Sequence, residues 1–186
     1  MKNNPIKFVI AILFLLLFTS CSDDILQNGK KEEITVNQLK ELVHYYSVEE
    51  VSNESASITG THLIVTDQHG EEQYYPLPED EFFVSIAPYI HETHPCKYHS
   101  LTGCQGEMVE KEFTVYIENE DGEVVIDEMM TSFANGFIDL WLPRNQNYQI
   151  KIEYDGLTGV GEFSTYEEDG TCITTIQLNN LFDLKG

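Results

Sequence analysis

Short apolar segments at nearly even intervals fill the chain from residue 81 onward, and they restrict the fold more than any other feature. Phe113, Val115 and Ile117 alternate with polar neighbours, which predicts a strand with one buried face. Asp121 and Gly122 then supply the turn expected of a hairpin. Short strands at this spacing are typical of a small β-sandwich. About seven strands are predicted, over residues 83–86, 113–117, 124–126, 136–142, 148–154, 161–164 and 172–178.

One helix is predicted ahead of these strands. Thr35 and Gln38 match a capping box, in which each side chain satisfies a free backbone donor of the first turn. The helix is expected to end near residue 47. Its apolar face recurs at intervals of three and four residues and consists of Val36, Leu39, Val43 and Tyr46.

A hairpin is predicted after the helix. Its first strand lies within residues 57–67, and residues 73–75 return before Pro76. Helix and hairpin together form a module over residues 34–80, which is marginally stable by itself and should dock on another surface, such as a second copy. We therefore expect a β-dominated α+β protein, with this small module followed by a β-sandwich-like domain over residues 81–186.

The N-terminus has the pattern of a signal peptide. Lys2 and Lys7 precede an apolar run over residues 8–18, which is shorter than the ~20 residues needed to span a bilayer. Residues 17–21 (LFTSC) resemble a bacterial lipobox, which predicts removal of residues 1–20, lipidation of Cys21 and a flexible tether over residues 21–33. A simple cleaved signal, with Cys21 incidental, is the alternative.

The net charge excludes one class of partner. Loss of the signal peptide lowers the ten basic residues to eight against 32 acidic ones, and the net charge from −22 to −24. Such a surface repels phosphate backbones, so nucleic-acid binding is not expected. It also repels anionic lipid, so membrane attachment would depend on acyl chains. A negative field raises the local concentration of cations, which permits a metal-binding role without requiring one.

Three cysteines remain after Cys21, and an odd number cannot pair within one chain. At least one thiol must be free, bridged to another chain or bound to a metal. Two of them, Cys96 and Cys104, lie in a segment that Pro95 and Gly103 make an ordered loop. His94 and His99 flank Cys96 in that loop.

The third thiol, Cys172, begins a late strand that could lie beneath the loop. Three thiolates, or two thiolates with an imidazole, suit Cu(I). Zn(II) competes, although the CxxC pairs that usually begin zinc sites are missing. A Cys96–Cys104 or Cys104–Cys172 disulfide is the structural alternative, and residue spacing alone does not decide between a disulfide and a metal site.

The chain also resembles a known family. Six stretches are similar to the CueP family of bacterial envelope copper-binding proteins: residues 83–90 (FVSIAPYI), 94–96 (HPC), 99–101 (HSL), 104–107 (CQGE), 135–144 (NGFIDLWLPR) and 171–175 (TCITT). The resemblance covers residues 35–178 and includes each cysteine after Cys21.

This resemblance implies an extracytoplasmic protein that sequesters or delivers copper as Cu(I). It implies ligands at Cys96, Cys104 and Cys172, with His94 and His99 in or near the coordination shell. It further implies that the thiols reduce Cu(II) while forming a disulfide, which envelope thiol–disulfide proteins reopen. The N-terminal module resembles the dimerisation domain of a disulfide isomerase, which implies a homodimer. The lipobox departs from the freely soluble members of the family and predicts a membrane anchor.

Overall fold

A computed structural model describes residues 34–180, so the predicted signal peptide, the lipobox at Cys21 and the tether over residues 21–33 lie outside the described residues. One helix is followed by twelve strands in this range: α1 (Val36–Val48), β1 (Glu54–Ile58), β2 (His62–Asp67), β3 (Glu72–Pro76), β4 (Glu81–Ile86), β5 (His99–Ser100), β6 (Glu112–Asn119), β7 (Val124–Thr131), β8 (Ile138–Pro143), β9 (Asn147–Tyr154), β10 (Leu157–Ser164), β11 (Cys172–Ile173) and β12 (Asn179–Asn180). Within this range no helix has the length and apolar character needed to cross a membrane.

The predicted helix is present and begins with the predicted capping box. The Gln38 backbone N–H donates to Thr35 Oγ1 at 3.3 Å, and the Thr35 N–H donates to Gln38 Oε1 at 2.8 Å. Two first-turn donors are thereby satisfied. Three members of the expected apolar face, Leu39, Val43 and Tyr46, are buried, whereas Val36 in the first turn is 48% exposed.

The segment predicted as a hairpin is a three-stranded antiparallel meander. Strand β1 pairs with β2, and β2 pairs with β3. The predicted first strand is divided by a turn, in which Thr59 Oγ1 accepts from the His62 N–H at 3.0 Å and the Thr61 N–H at 3.3 Å. The short strand β5 pairs with the free edge of β1, giving the order β3-β2-β1-β5. The Cys/His loop therefore contributes a strand to the N-terminal sheet.

Two further sheets form the rest of the fold. Strands β12-β10-β9-β6-β7 form an antiparallel five-stranded sheet, and β11-β4-β8 form a three-stranded sheet in which β11 runs parallel to β4. Buried side chains of both sheets pack in one cluster that includes Phe82, Phe113 and Ile152. Each such side chain stabilises the fold by roughly 1.5–3 kcal/mol. The β-dominated α+β class is confirmed, whereas the sandwich arrangement and the boundary at residue 80 stay predictions.

Candidate metal centre

The Cys/His loop is held against the strand that carries Cys172. Thr93 Oγ1 donates to the Thr174 carbonyl at 2.6 Å, and Thr174 Oγ1 donates to the His94 carbonyl at 2.8 Å. The Cys172 N–H donates to the Lys97 carbonyl at 3.2 Å. These bonds connect segments about eighty residues apart in the chain. They explain how one late cysteine joins the two in the loop.

Strand β5 positions His99 in the interior. The His99 N–H donates to Thr171 Oγ1 at 2.9 Å, and that hydroxyl donates to the Ile58 carbonyl at 2.6 Å. Thr171, which directly precedes Cys172, therefore links β1 to the loop that carries His99. The imidazole of His99 packs on Phe137, with 4.4 Å between ring centroids. This packing fixes the ring orientation.

A turn after β5 brings Cys104 back over the same point. The Cys104 N–H donates to the Ser100 carbonyl at 2.9 Å. Two residues later, the Gly106 N–H donates to the Asn135 carbonyl at 2.7 Å, which brings its backbone against Gly136. A Cβ on Gly106 would lie 2.7 Å from the Gly136 carbonyl oxygen. The two backbone segments can approach this closely because both residues are glycine.

The five predicted site residues lie together in two overlapping groups. His94, Cys96 and Cys104 form one group, and His99, Cys104 and Cys172 form the other. Within each group the ligand atoms lie within 4.8 Å of one another. The Cys96 and Cys104 Sγ atoms are 3.6 Å apart, and the Cys172 Sγ is 3.6 Å from His99 Nδ1. Cys104 belongs to both groups.

The donors fit a soft metal ion. Two sulfurs bound to one ion at about 2.3 Å each can lie at most ~4.6 Å apart, which the 3.6 Å separation of Cys96 and Cys104 satisfies. Each group offers two thiols and one imidazole, a set that suits Cu(I). Cys96, Cys104 and Cys172 are all free thiols, so the structure contains neither disulfide considered from the sequence.

Burial separates the two groups. Cys172 is 5% exposed and His99 is fully buried, whereas His94, Cys96 and Cys104 are half-buried. His99 Nε2 is a buried polar atom without a hydrogen-bond partner among the described residues. Such an atom costs about 1–3 kcal/mol when it is left unsatisfied, and the other ring nitrogen, Nδ1, is the one that faces the Cys172 thiol.

The thiols differ in acidity. Hydrogen bonds from Cys172, His99 and His94 lower the pKa of Cys104, although desolvation opposes them. The hydrogen bond to Cys104, together with desolvation, raises the pKa of Cys172. Desolvation also raises the pKa of Cys96. Cys104 is therefore the thiol that loses its proton first, and the thiolate is the form that binds metal.

Two supporting residues were missed from the sequence. The Glu107 carboxylate accepts from the backbone N–H groups of Ile90 at 2.6 Å and His91 at 2.9 Å, which fixes the start of the loop. Asp139 accepts from Ser47 Oγ at 2.6 Å and Ser85 Oγ at 2.5 Å, which joins α1 to β4. An acidic residue between the buried positions Ile138 and Leu140 was the available signal for Asp139.

A β-rich fold that gathers three thiols and two imidazoles has the donor set of a soft-metal-binding protein. The family model for periplasmic copper-binding protein CueP matches residues 35–177. The chain belongs to the CueP family of periplasmic copper-binding proteins, which confirms the resemblance noted from the sequence and the location outside the cytoplasm.

A solved structure agrees with this assignment. The chain is similar to the crystal structure of S.CueP, with 38% sequence identity and a TM-score of 0.72. The match covers 76% of this chain and 88% of the S.CueP chain. Among curated proteins, no relative matches.

Proposed function

We propose that this protein sequesters or delivers copper as Cu(I), bound by Cys96, Cys104 and Cys172 with His94 and His99. The observation that supports this most strongly is the shared position of Cys104, whose thiol lies in both groups of donors. Soft thiolates favour Cu(I) over harder ions. Cu(I) also accepts the low coordination number that two thiolates and one imidazole provide.

Copper titration tests this function. The reduced full chain is mixed with Cu(I) under anaerobic conditions, and the mass of the complex is measured by native mass spectrometry. Bound copper that is lost in Cys104→Ser supports the proposal, and Cys21→Ser is the matched control that should bind as the wild type does. Absence of bound copper, or equal binding by Cys104→Ser, overturns it. Zinc in the protein as purified would instead favour the structural alternative.

The same thiols are proposed to reduce Cu(II). Oxidation of two thiolates to a disulfide releases two electrons, which convert two Cu(II) ions to two Cu(I) ions. Cys96 and Cys104 lie 3.6 Å apart and are a suitable pair. An envelope thiol–disulfide protein would restore the thiols by exchange. Mixing reduced protein with Cu(II) and a Cu(I)-specific chromophore should give colour and a loss of two thiols. Unchanged thiol counts would overturn the reductase role.

Membrane attachment through lipidated Cys21 is proposed from the lipobox. The anchor would hold the copper site near a membrane by the tether over residues 21–33, on either the periplasmic or the outer surface. Fractionation of cells tests this directly. Wild-type protein should sediment with membranes and Cys21→Ser should be soluble, whereas equal distribution of both forms would exclude the anchor.

We also propose that residues 34–80 associate with a second copy. Strand β3 is an edge of the N-terminal sheet, and its Tyr74 is 48% exposed. An open edge is available for pairing with another chain. Sedimentation of the full chain should give twice the monomer mass, and a monomer at micromolar concentration would contradict the proposal.

A further inference from the structure

The two groups of donors share Cys104 but differ in access to solvent. His94 and Cys96 are half-buried, and they form what we term the outer position together with Cys104. Cys172 and His99 are buried, and they form the inner position together with the same Cys104. Because one sulfur belongs to both, an ion can pass from one position to the other without leaving the protein.

A solvent-exposed groove borders the outer position at His94. It has a volume of about 310 Å³ and is lined by residues that include His94, Gln105, Glu92 and Glu107. Both carboxylates lie on exposed residues, so their charge attracts cations to the groove. His94 is the only member of the five-residue site that lines this groove in the described part of the chain.

The inner position has the features of a retention site. His99 is fully buried against Phe137, and its Nδ1 lies 3.6 Å from the Sγ of the buried Cys172. The surroundings of a metal control how readily solvent and competing ligands reach it. An ion bound by Cys172 and His99 would therefore leave more slowly than one bound by His94 and Cys96.

We propose that copper is loaded in order, first at the outer position and then at the inner one, with Cys104 bound throughout. This inference rests on the proposed Cu(I) function. In the transfer, Cu(I) exchanges the Cys96 thiolate and His94 imidazole for the Cys172 thiolate and His99 imidazole. The proton lost by the Cys172 thiol is balanced by the proton gained by Cys96. Copper remains Cu(I), so no oxidant or reductant takes part.

Separate measurements of loading and release test the order. The reduced full chain, carrying Cys21→Ser so that only the site thiols react, is mixed with one equivalent of Cu(I) acetonitrile complex in a stopped-flow instrument. The rise in sulfur-to-copper charge-transfer absorbance measures the rate of loading. Excess bathocuproine disulfonate is then added, and the coloured chelate follows release. The variants compared are Cys96→Ser and Cys172→Ser, with circular dichroism to verify the fold of each.

The two variants should have opposite defects. Cys96→Ser should load about tenfold more slowly or worse and should release copper no faster than the wild type, because the damaged outer position lies on the path in both directions. Cys172→Ser should load at the wild-type rate and release at least about tenfold faster. If both variants change loading and release in the same way, the three cysteines act as one site and ordered loading is overturned.

A histidine pair keeps the test decisive if Cys172→Ser is poorly folded. His94→Gln should reproduce the slow loading of Cys96→Ser, and His99→Gln should reproduce the fast release of Cys172→Ser. Equal effects of the two histidine variants also overturn the order. Absence of copper binding by the Cys21→Ser parent contradicts the proposed function itself. Binding by the parent with matched defects in the variants contradicts the order alone.

Discussion

The Sγ of Cys172 lies 3.6 Å from Nδ1 of His99, although 73 residues separate them in the chain. Strand β11 carries the thiol, strand β5 carries the imidazole, and Thr171 hydrogen-bonds the His99 backbone to hold the two segments together. The inner half of the candidate copper site is thus built by long-range contacts. Its geometry should depend on residues that never touch copper.

Gly136 is the first such residue. It has a φ of +80°, and a Cβ there would lie 2.6 Å from the carbonyl oxygen of Gly106. Gly136→Ala should destabilise the fold by more than the roughly 1–3 kcal/mol of left-handed strain alone. Gly122→Ala is the control, because its φ of +78° imposes similar strain with nothing within 4 Å. Urea unfolding measures both, and an equal loss of stability would contradict the close contact.

Phe137 is expected to hold the His99 ring for copper. Phe137→Leu should cost about 1 kcal/mol of stability, because much of the buried volume is kept. It should also speed copper release, since the imidazole loses the ring on which it packs. Phe113→Leu is the control, because Phe113 is equally buried but belongs to a different core cluster. Chelator competition on both variants checks this, and equal release rates would refute the positioning role.

Glu107 is expected to stabilise the start of the Cys/His loop. Glu107→Gln leaves one acceptor oxygen where two accept from Ile90 and His91, so the loop should open more often. Hydrogen exchange at the amides of residues 90 and 91 should become faster, and Cu(I) affinity should fall. Glu128→Gln, on the exposed surface of β7, removes the same charge away from the loop. The prediction fails if the two variants behave alike.

Asp139 should make stability depend on pH. Desolvation raises its pKa, despite hydrogen bonds from Ser47 and Ser85 and the nearby imidazoles of His99 and His44. The folded state therefore holds the proton more tightly than the unfolded state, in which the pKa is about 3.9. The contribution of Asp139 to the free energy of unfolding is present below pH ~3.9 and falls as pH rises through the raised folded pKa.

Asp139→Asn lacks this titration. Across the same pH window, the variant should gain stability relative to the wild type, step by step as the wild-type carboxyl ionises in the folded state. Urea unfolding of both proteins at several pH values above 3.5 measures the difference. A constant difference between the two curves would show that Asp139 titrates normally.

Local signals in the sequence predicted most of the elements. The capping box at Thr35 identified the start of α1, and the alternation around Val115 identified β6. The turn that divides β1 from β2 was missed, although Gly60 lies in it and marks it in the sequence; the Thr59 hydroxyl closes the turn by accepting from the Thr61 and His62 N–H groups. Strand β5 was missed because two residues have no readable period.

The candidate site was predicted as a set of residues but not as an arrangement. The odd number of thiols and the family resemblance together predicted that all three cysteines belong to the site. The division into outer and inner positions follows from the tertiary contacts of Thr171 and Thr174, which no local pattern encodes. The burial of His99 likewise depends on Phe137 and the pairing of β5 with β1.

Native mass spectrometry of the reduced full chain with Cu(I) is the decisive experiment for copper binding at this site. Copper should bind to the wild type and to Cys21→Ser and should be lost from Cys104→Ser, because Cys104 belongs to both groups of donors. Copper binding that is unchanged by Cys104→Ser, or absent from the wild type, would contradict this prediction.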